Sequence, residues 1–295
     1  MNFIKTLLQL IKANHWIKNL YVFAPLFFSG EFLANGKLQD AAAGFFFFCL
    51  ASSCIYIFND LLDAENDRHH PQKKNRPIAS GAVSKNQGIG YMSIIVVALT
   101  AFSFFLPFNF ILVALSYIAL NIVYSIWLKH IAIIDISIIS IGFVLRVLAG
   151  GIVSDIPVSH WLVIMIYLLS MFLALAKRRD DLVLIDKESV DPLIRKSAKG
   201  YSPEFIQTGL VSMATVMIVC YIMYITSPEV TERLHSRYAY FNTFFVVAGV
   251  LKYLQIIFMQ NNAGSPVKVI QKDRFIQCCV VLWLLSFAVM LYIVK

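Results

Sequence analysis

Long apolar runs alternate with short polar and charged segments along the whole chain. A transmembrane helix needs about 20 mostly apolar residues to cross the hydrocarbon core of a bilayer. Nine stretches fit this requirement: 17–35, 40–60, 88–107, 109–128, 131–153, 159–177, 204–226, 238–260 and 275–294. Pro25 and Gly30 interrupt the first of them, which makes it the weakest. We therefore predict an all-α, polytopic membrane bundle of about nine helices that forms a single domain over residues 1–295.

The composition argues against an ordinary soluble protein. Hydrophobic residues make up 59% of the chain and charged residues only 14%, whereas soluble domains carry about 25% charged residues. The formal net charge of +8 would suggest nucleic acid as a partner of a soluble domain. Here most basic residues lie between the apolar stretches, so we expect no nucleic-acid partner. The charge instead suggests contact with the inner membrane face or with anionic substrates.

The distribution of basic residues predicts the orientation in the membrane. If the N-terminus is cytoplasmic, 19 Lys and Arg residues fall in cytoplasmic segments and 4 in outer segments. Such a bias fits the positive-inside rule. We therefore expect a multi-pass protein of the bacterial inner (plasma) membrane, with the N-terminus and both large charged loops in the cytoplasm and the C-terminus outside. Because the rule alone explains much of the excess, the excess does not by itself predict phosphate binding.

Three aspartates follow the second apolar stretch at helical spacing. Asp60, Asp63 and Asp67 are separated by three and four residues, which on one helix places them on one face with Asn59 beside them. Three carboxylates so close together repel one another and require a cation. Oxygen ligands of this kind suit Mg²⁺, so we predict a metal site at this helix end.

Basic residues follow the aspartates directly. His70, Lys73, Lys74 and Arg76 come next in the chain, and such groups suit phosphate oxygens. Acidic residues followed by basic ones, at the end of a membrane helix, fit a site for Mg²⁺ and a diphosphate. The alternative is a charged loop that is merely solvated, but that alternative does not require the acids to share a helical face.

The fifth predicted span contains two charged residues, which are costly in a membrane and usually functional. Asp135 and Arg146 are eleven residues apart, so on a helix they point the same way, roughly 16 Å apart. Arg146 lies too deep to reach the membrane surface easily, and we expect it to face a polar cavity. The alternative is an internal ion pair that holds the bundle together.

The fourth predicted span carries a polar stripe. Tyr117, Asn121 and Tyr124 recur at intervals of four and three, and Lys129 follows near the end of the span. These side chains could bind substrate, or they could form hydrogen bonds between helices.

The second charged loop opens with the sequence KRRDD, residues Lys177 to Asp181. Three cations and two anions directly after an apolar span again suit an anion and metal site. Arg178 offers a planar fork for phosphate oxygens, and the Asp181 carboxylate can accept hydrogen bonds from a ribose hydroxyl.

Several of these motifs resemble one known family. N-D-x-x-D-x-x-x-D begins at Asn59 and H-P-x-K-x-x-R-P-I-A-S-G at His70; HWIKNLYVFAPLFFSG spans residues 15–30 and YSIWLKHIAIIDISIISIGFVLRVLAGG residues 124–151. Together with the KRRDD loop, they resemble the UbiA superfamily of intramembrane prenyltransferases. The longer form of the aspartate motif resembles one branch, the decaprenyl-phosphate phosphoribosyltransferases. The resemblance covers most of the chain.

The resemblance implies a fold and a reaction. The nine helices would surround a central cavity that opens to the cytoplasm and laterally to lipid. The reaction would transfer 5-phosphoribose from 5-phosphoribosyl 1-diphosphate to a polyprenyl phosphate of the decaprenyl type, with release of diphosphate. Mg²⁺ would serve as cofactor on Asp60, Asp63 and Asp67, with Asn59 beside them, and Mn²⁺ could take its place. Neither the lipid chain length nor the oligomeric state follows from the sequence.

Substrate-binding roles are expected for the polar groups near the ends of the spans. They are Lys18, His70, Lys73, Arg76, Tyr124, Lys129, Asp135, Arg146, Lys177, Arg178 and Asp181. Lys18 could also be a membrane-interface anchor with no contact to substrate. Donor and acceptor are both anionic, so a site rich in cations suits them.

Two other functions remain open from the sequence. One is an aromatic prenyltransferase of the same superfamily, of the 4-hydroxybenzoate type. Those enzymes carry a second D-x-x-x-D motif in the second charged loop, whereas Asp181 and Asp186 are five residues apart here. The other is a lipid carrier without chemistry. The three aspartates argue against a carrier, because moving a phospholipid does not require a site for metal and diphosphate.

Overall fold

The computed structural model describes residues 3–34, 36–69, 73–185, 200–236, 238–259, 269 and 271–293. Within these residues the secondary structure is helical and contains no strand, as the sequence predicts. The α-helices are α1 Phe3–Leu10, α2 Ala24–Ser29, α3 Lys37–Leu62, α4 Ala64–Arg68, α5 Lys85–Ser103, α6 Phe108–Ile126, α7 Ile134–Val153, α8 His160–Ile185, α9 Pro203–Ile225, α10 Pro228–Arg233, α11 Thr243–Met259 and α12 Arg274–Tyr292. Short 3₁₀ helices cover Ala13–Phe23, Lys73–Asn75, Leu128–His130 and Ala239–Asn242.

Eight helical segments of the described chain are long and apolar enough to cross a membrane. They correspond to the second through ninth predicted spans, so the prediction of a polytopic bundle is confirmed. The first predicted span, 17–35, has a different structure. It consists of the 3₁₀ helix Ala13–Phe23 followed by the six-residue helix α2, and Gly30 ends α2 with a φ of 81°. Glycine adopts this left-handed conformation without the steric cost that other residues meet.

The helix surfaces are suited to lipid. Only 11% of the apolar window of α5 is buried, and Ile94 and Val97 on this helix are exposed. In water such a surface would be unfavourable, but in a bilayer the solvent itself is apolar. The eight apolar helices therefore belong to a multi-pass integral membrane protein.

The described helices form two compact units. The first contains Met1–Lys129 and Gly142–Val158. Helix α3 packs there against the 3₁₀ helix Ala13–Phe23, α5 and α6. Gly150 lies so close to Val22 that an added Cβ would overlap the Val22 carbonyl oxygen. This close approach fixes the 3₁₀ helix against α7 and so positions its polar residues.

The second unit contains His130–Ile141 and Ser159–Lys295. Its helices pack in a series, α8 on α9, α9 on α11 and α11 on α12. Phe172, Leu175 and Leu210 are buried in its apolar core. That the whole chain forms a single domain stays a prediction.

Candidate functional site

The aspartate motif spans a break between two helices. Helix α3 ends at Leu62, Asp63 adopts φ −91° and ψ 1°, and α4 begins at Ala64. These angles lie in the bridge region, typical of turns and active-site residues. The expectation of one continuous helical face is therefore only partly met. The turn keeps Asp60 and Asp67 near each other but directs Asp63 to a different partner.

Asp60 and Asp67 are joined by a single guanidinium group. Nη1 of Arg76 donates to Oδ1 of Asp60 at 3.1 Å and to Oδ2 of Asp67 at 2.7 Å. Both aspartate side chains are only 1% exposed. Lys73 Nζ lies 4.0 Å from the other oxygen of Asp67. The structure thus brings together two predicted metal ligands and two predicted phosphate-binding residues.

Lys12 is a member of this cluster that the sequence analysis missed. Its ammonium group donates to Oδ1 of Asp60 at 2.7 Å and lies 4.9 Å from the ring centroid of Tyr56. Lys12 follows α1 in a left-handed conformation with φ 49°, which turns the chain so that its side chain reaches α3. Lys12 is one of three lysines among the first 18 residues, and its position in the sequence does not identify the partner 48 residues away.

Asp63 pairs with the residue that follows the polar stripe of α6. Lys129 Nζ donates to the two carboxylate oxygens of Asp63 at 3.0 and 3.4 Å. This pair is more exposed than the Arg76 cluster, with 25% of the Lys129 side chain and 32% of the Asp63 side chain accessible. The structure therefore places a predicted metal ligand in direct contact with a predicted phosphate-binding residue.

Burial acts on the charges of the cluster. It raises the pKa of the Asp67 carboxyl above its usual value, although Arg76 and Lys73 oppose the rise. Burial likewise lowers the pKa of Lys12, against the attraction of Asp60. Both directions show that each charge is costly in this place and depends on its partners.

The residues fit a bound divalent cation. Asp60 Oδ2 and Asp67 Oδ1 are buried and accept no hydrogen bond from the described residues, whereas the other oxygen of each carboxylate binds a cationic side chain. Buried carboxylate oxygens without donors are suitable ligands for Mg²⁺. Within the described ranges, no three His, Cys, Asp or Glu residues form a complete metal site. Further ligands would therefore come from substrate oxygens or water, as is common for Mg²⁺.

Arg146 lies in a buried polar cluster of the first unit. Its guanidinium donates to Asn19 Oδ1 at 2.8 Å, to the Gly142 carbonyl at 2.8 Å and to the Tyr117 hydroxyl at 2.7 Å. It also packs on the Tyr117 ring at 4.5 Å. These partners are all neutral. The alternative of an Asp135–Arg146 ion pair is therefore not what the structure shows.

Asp135 has partners of its own in the second unit. Arg178 Nε donates to Asp135 Oδ2 at 2.8 Å, and Arg178 Nη2 lies 2.7 Å from the same oxygen. The Tyr201 hydroxyl donates to Asp135 Oδ1 at 2.6 Å. The backbone N–H of Ile133, which has φ 69°, donates to Tyr201 at 2.7 Å. Burial and the Asp135 carboxylate raise the pKa of Tyr201. Asp135 and Arg178 were predicted from the sequence, whereas Tyr201, which lies just beyond the charged loop, was not.

The remaining predicted residues differ in burial. Asn59, Lys18 and Tyr124 are half-buried, and Lys177 is exposed on α8. The backbone of Asp181 belongs to α8, and its side chain lies outside the described part of the structure. His70 also lies outside the described residues.

Comparisons with known proteins agree on one family. The profile of the UbiA prenyltransferase family matches residues 22–278. The chain is 33% identical to a decaprenyl-phosphate phosphoribosyltransferase of Mycolicibacterium smegmatis, over 99% of this chain and 94% of that protein. It is 29% identical to a protein of the same name from Corynebacterium glutamicum, over 97% of this chain and 87% of that one.

Solved structures show the same fold. A UbiA homologue from Archaeoglobus fulgidus, bound to DMAPP and Mg²⁺, superposes with a TM-score of 0.70 at 17% identity, covering 97% of this chain and 99% of the other. The same protein bound to GPP and Mg²⁺ gives a TM-score of 0.71. At this identity the similarity establishes the fold and leaves the substrate to be argued from the site.

Proposed function

Because the chain belongs to the UbiA prenyltransferase family and is a membrane-embedded transferase, we propose that it transfers 5-phosphoribose from 5-phosphoribosyl 1-diphosphate to a polyprenyl phosphate. The two relatives described above are named for this activity, and the chain matches them over 94% and 87% of their length. A lipid of the decaprenyl type is the proposed acceptor.

The observation that carries the proposal is the cluster in which Arg76 joins Asp60 and Asp67. Mg²⁺ held by the aspartates would stabilise the charge that develops on the departing diphosphate. Arg76, Lys73 and Lys129 stand beside the aspartates. In this proposal they bind phosphate oxygens of the donor and orient its sugar carbon towards the acceptor.

The reaction needs no strong base. An oxygen of the lipid phosphate attacks the anomeric carbon of the ribose, a new carbon–oxygen bond forms, and the bond to the diphosphate breaks. The diphosphate leaves with the electron pair. Since the lipid phosphate is already anionic at neutral pH, no proton has to be removed from the nucleophile. The described site accordingly holds cations and carboxylates, and no histidine is assigned a proton-transfer role.

The second polar cluster supports a sugar-phosphate substrate. Asp135 holds the guanidinium of Arg178 through two nitrogen atoms, which fixes its orientation. We propose that Arg178, with Lys177, binds anionic oxygens of donor or acceptor, and that Asp181 contacts a ribose hydroxyl. This loop lacks the D-x-x-x-D spacing expected for a second metal on a prenyl diphosphate.

The basic residues between the spans also support an orientation. In the proposed arrangement residues 17–35 cross the membrane as a ninth segment before the eight apolar helices. The N-terminus, the aspartate motif and the KRRDD loop then face the cytoplasm of a bacterium, and the C-terminus lies outside. The water-soluble donor would enter from the cytoplasm, and the acceptor lipid would reach the site within the membrane.

One assay separates the proposal from its rivals. Purified protein is incubated with radiolabelled 5-phosphoribosyl 1-diphosphate, polyprenyl phosphate and Mg²⁺, and the lipid phase is extracted. The proposal predicts a phosphoribosylated lipid and no product from geranyl diphosphate with 4-hydroxybenzoate. A prenylated aromatic product alone would indicate the aromatic branch of the family, and binding of polyprenyl phosphate with no product from either pair would indicate a carrier.

A further inference from the structure

The three aspartates are surrounded by more positive charge than they carry. Among the described residues, four cations pair with them: Lys12, Lys73, Arg76 and Lys129. The cluster therefore has one positive charge in excess of its three carboxylates. A metal site prepared for a free divalent cation would be expected to carry excess negative charge instead.

Lys12 is the most deeply placed of these amines. Its side chain is 15% exposed, compared with 38% for Lys73 and 25% for Lys129. It lies before the segment that the family profile matches, which begins at residue 22. Its ammonium group binds the same oxygen of Asp60 as Arg76 does, while the second oxygen of Asp60 accepts no hydrogen bond from the described residues.

This arrangement discriminates between two forms of the metal. A bare divalent cation approaching Asp60 meets Lys12 and Arg76 at close range, and their like charges repel it. A metal already bound to a diphosphate forms an anionic complex, which the same cations attract. Because the Asp60 side chain is 1% exposed and that of Lys12 is 15% exposed, the repulsion and the attraction around Asp60 are less screened than at an exposed site.

We propose that Lys12, together with Arg76, makes this site accept the divalent metal as its diphosphate complex and reject the bare ion. Lys12 is thus a positioning residue that couples the metal to the donor. The inference rests on the proposed function only in that the donor carries a diphosphate. Its consequence is that metal and donor enter as a unit, which leaves Asp60 bound to internal cations between turnovers.

Metal binding can be measured apart from turnover. Binding of Mn²⁺ to the purified full-length protein is followed by electron paramagnetic resonance, and binding of radiolabelled inorganic diphosphate is measured separately at saturating Mn²⁺. The test variant is Lys12→Met. The matched control is Lys85→Met, because Lys85 is exposed and pairs with Glu65 outside the cluster.

The expected changes have opposite signs. In Lys12→Met the affinity for bare Mn²⁺ should rise about tenfold and that for diphosphate fall about tenfold, the lower end of what one neighbouring charge does to an ionic equilibrium. Lys85→Met and the charge-conserving Lys12→Arg should leave both affinities close to those of the parent. If Lys12→Met does not fold, as judged by its melting temperature, Lys12→Gln tests the same loss of charge.

Two outcomes would overturn the inference. One is a parent protein that binds bare Mn²⁺ as tightly as the neutral variants do. The other is a neutral variant that loses affinity for Mn²⁺, as it would if Lys12 merely oriented a ligand. Phosphoribosyl transfer by the same parent preparation is assayed in parallel. If the parent transfers phosphoribose but binds bare Mn²⁺ tightly, this inference alone is overturned. If the parent transfers nothing and the donor stays intact, the proposed function is overturned.

Discussion

Nη1 of Arg76 lies 2.7 Å from Oδ2 of Asp67 and makes a second hydrogen bond to Asp60. One guanidinium thus connects the last turn of α3 with the short helix α4, across the break at Asp63. Both carboxylates are nearly inaccessible to solvent. Their geometry therefore depends on this contact.

Replacing Arg76 with Gln should abolish turnover and lower stability. Removing one partner of a buried ion pair costs about 3–5 kcal/mol, and Arg76, whose side chain is 28% exposed, should lie at the lower end. Thermal unfolding and the transfer assay measure the two effects. Arg68→Gln is the matched control, because Arg68 forms an exposed pair with Glu65 worth at most about 1 kcal/mol. Equal losses in both variants would contradict the special role of Arg76.

Replacing Asp60 or Asp63 with Asn should stop turnover. Asp63→Asn should leave the fold intact, because Asp63 is partly exposed, whereas Asp60→Asn should also lower stability, because it removes the buried partner of Lys12 and Arg76. Each change removes a carboxylate proposed to hold the metal. Excess chelator should have the same effect on the parent protein, and Mg²⁺ should restore its activity. Full activity of the parent in excess chelator would exclude a metal-dependent reaction.

Replacing Arg146 with Leu should spare membrane insertion and impair turnover. Leucine is favourable inside a bilayer, but Asn19 and Tyr117 would each lose a hydrogen-bond partner, at about 1–3 kcal/mol for each unsatisfied group. Lys252→Leu is the control, since Lys252 is also a cation within a span and contacts Gln255. Arg146 would be no more than structural if its Leu variant were as active as the parent.

Replacing Arg178 with Ala should raise the KM for one of the two substrates by at least about tenfold, as expected for a lost charged hydrogen bond of about 1.5–3 kcal/mol. Steady-state kinetics with each substrate varied in turn would identify which one. Tyr201→Phe is the companion variant, because it removes a hydrogen bond to Asp135 and keeps Arg178. The free energy of unfolding should fall by more than the free-energy equivalent of any rise in either KM. The reverse pattern would assign substrate binding to Tyr201.

The sequence predicts local features of this protein well. Eight of the nine apolar stretches correspond to the eight apolar helices, because each of these depends only on its own composition and length. The spacing of Asp60 and Asp67 likewise indicates two carboxylates that lie together. The 3₁₀ form of Ala13–Phe23 was not predictable from apolar composition, and neither was the close approach of Val22 to Gly150.

Contacts between distant parts of the chain could not be predicted from spacing. Eleven residues separate Asp135 and Arg146, and this spacing predicts a shared helical face but not the partner of either residue. Instead Asp135 binds Arg178, 43 residues away, and Arg146 binds Asn19, 127 residues away. Packing of other elements decides these partners, and a single sequence carries no signal for it. The contact of Lys12 with Asp60 could not be predicted for the same reason.

The most direct test of the proposed reaction follows the ribose and the diphosphate group of the donor separately. One donor sample carries a label in the ribose and another carries a label in the diphosphate group, and each is incubated with the purified protein, polyprenyl phosphate and Mg²⁺. The account predicts that the ribose label enters the lipid phase, that the diphosphate label stays in water as free diphosphate, and that Asp60→Asn abolishes both products. A diphosphate label in the lipid, or an intact donor after complete incubation, would contradict it.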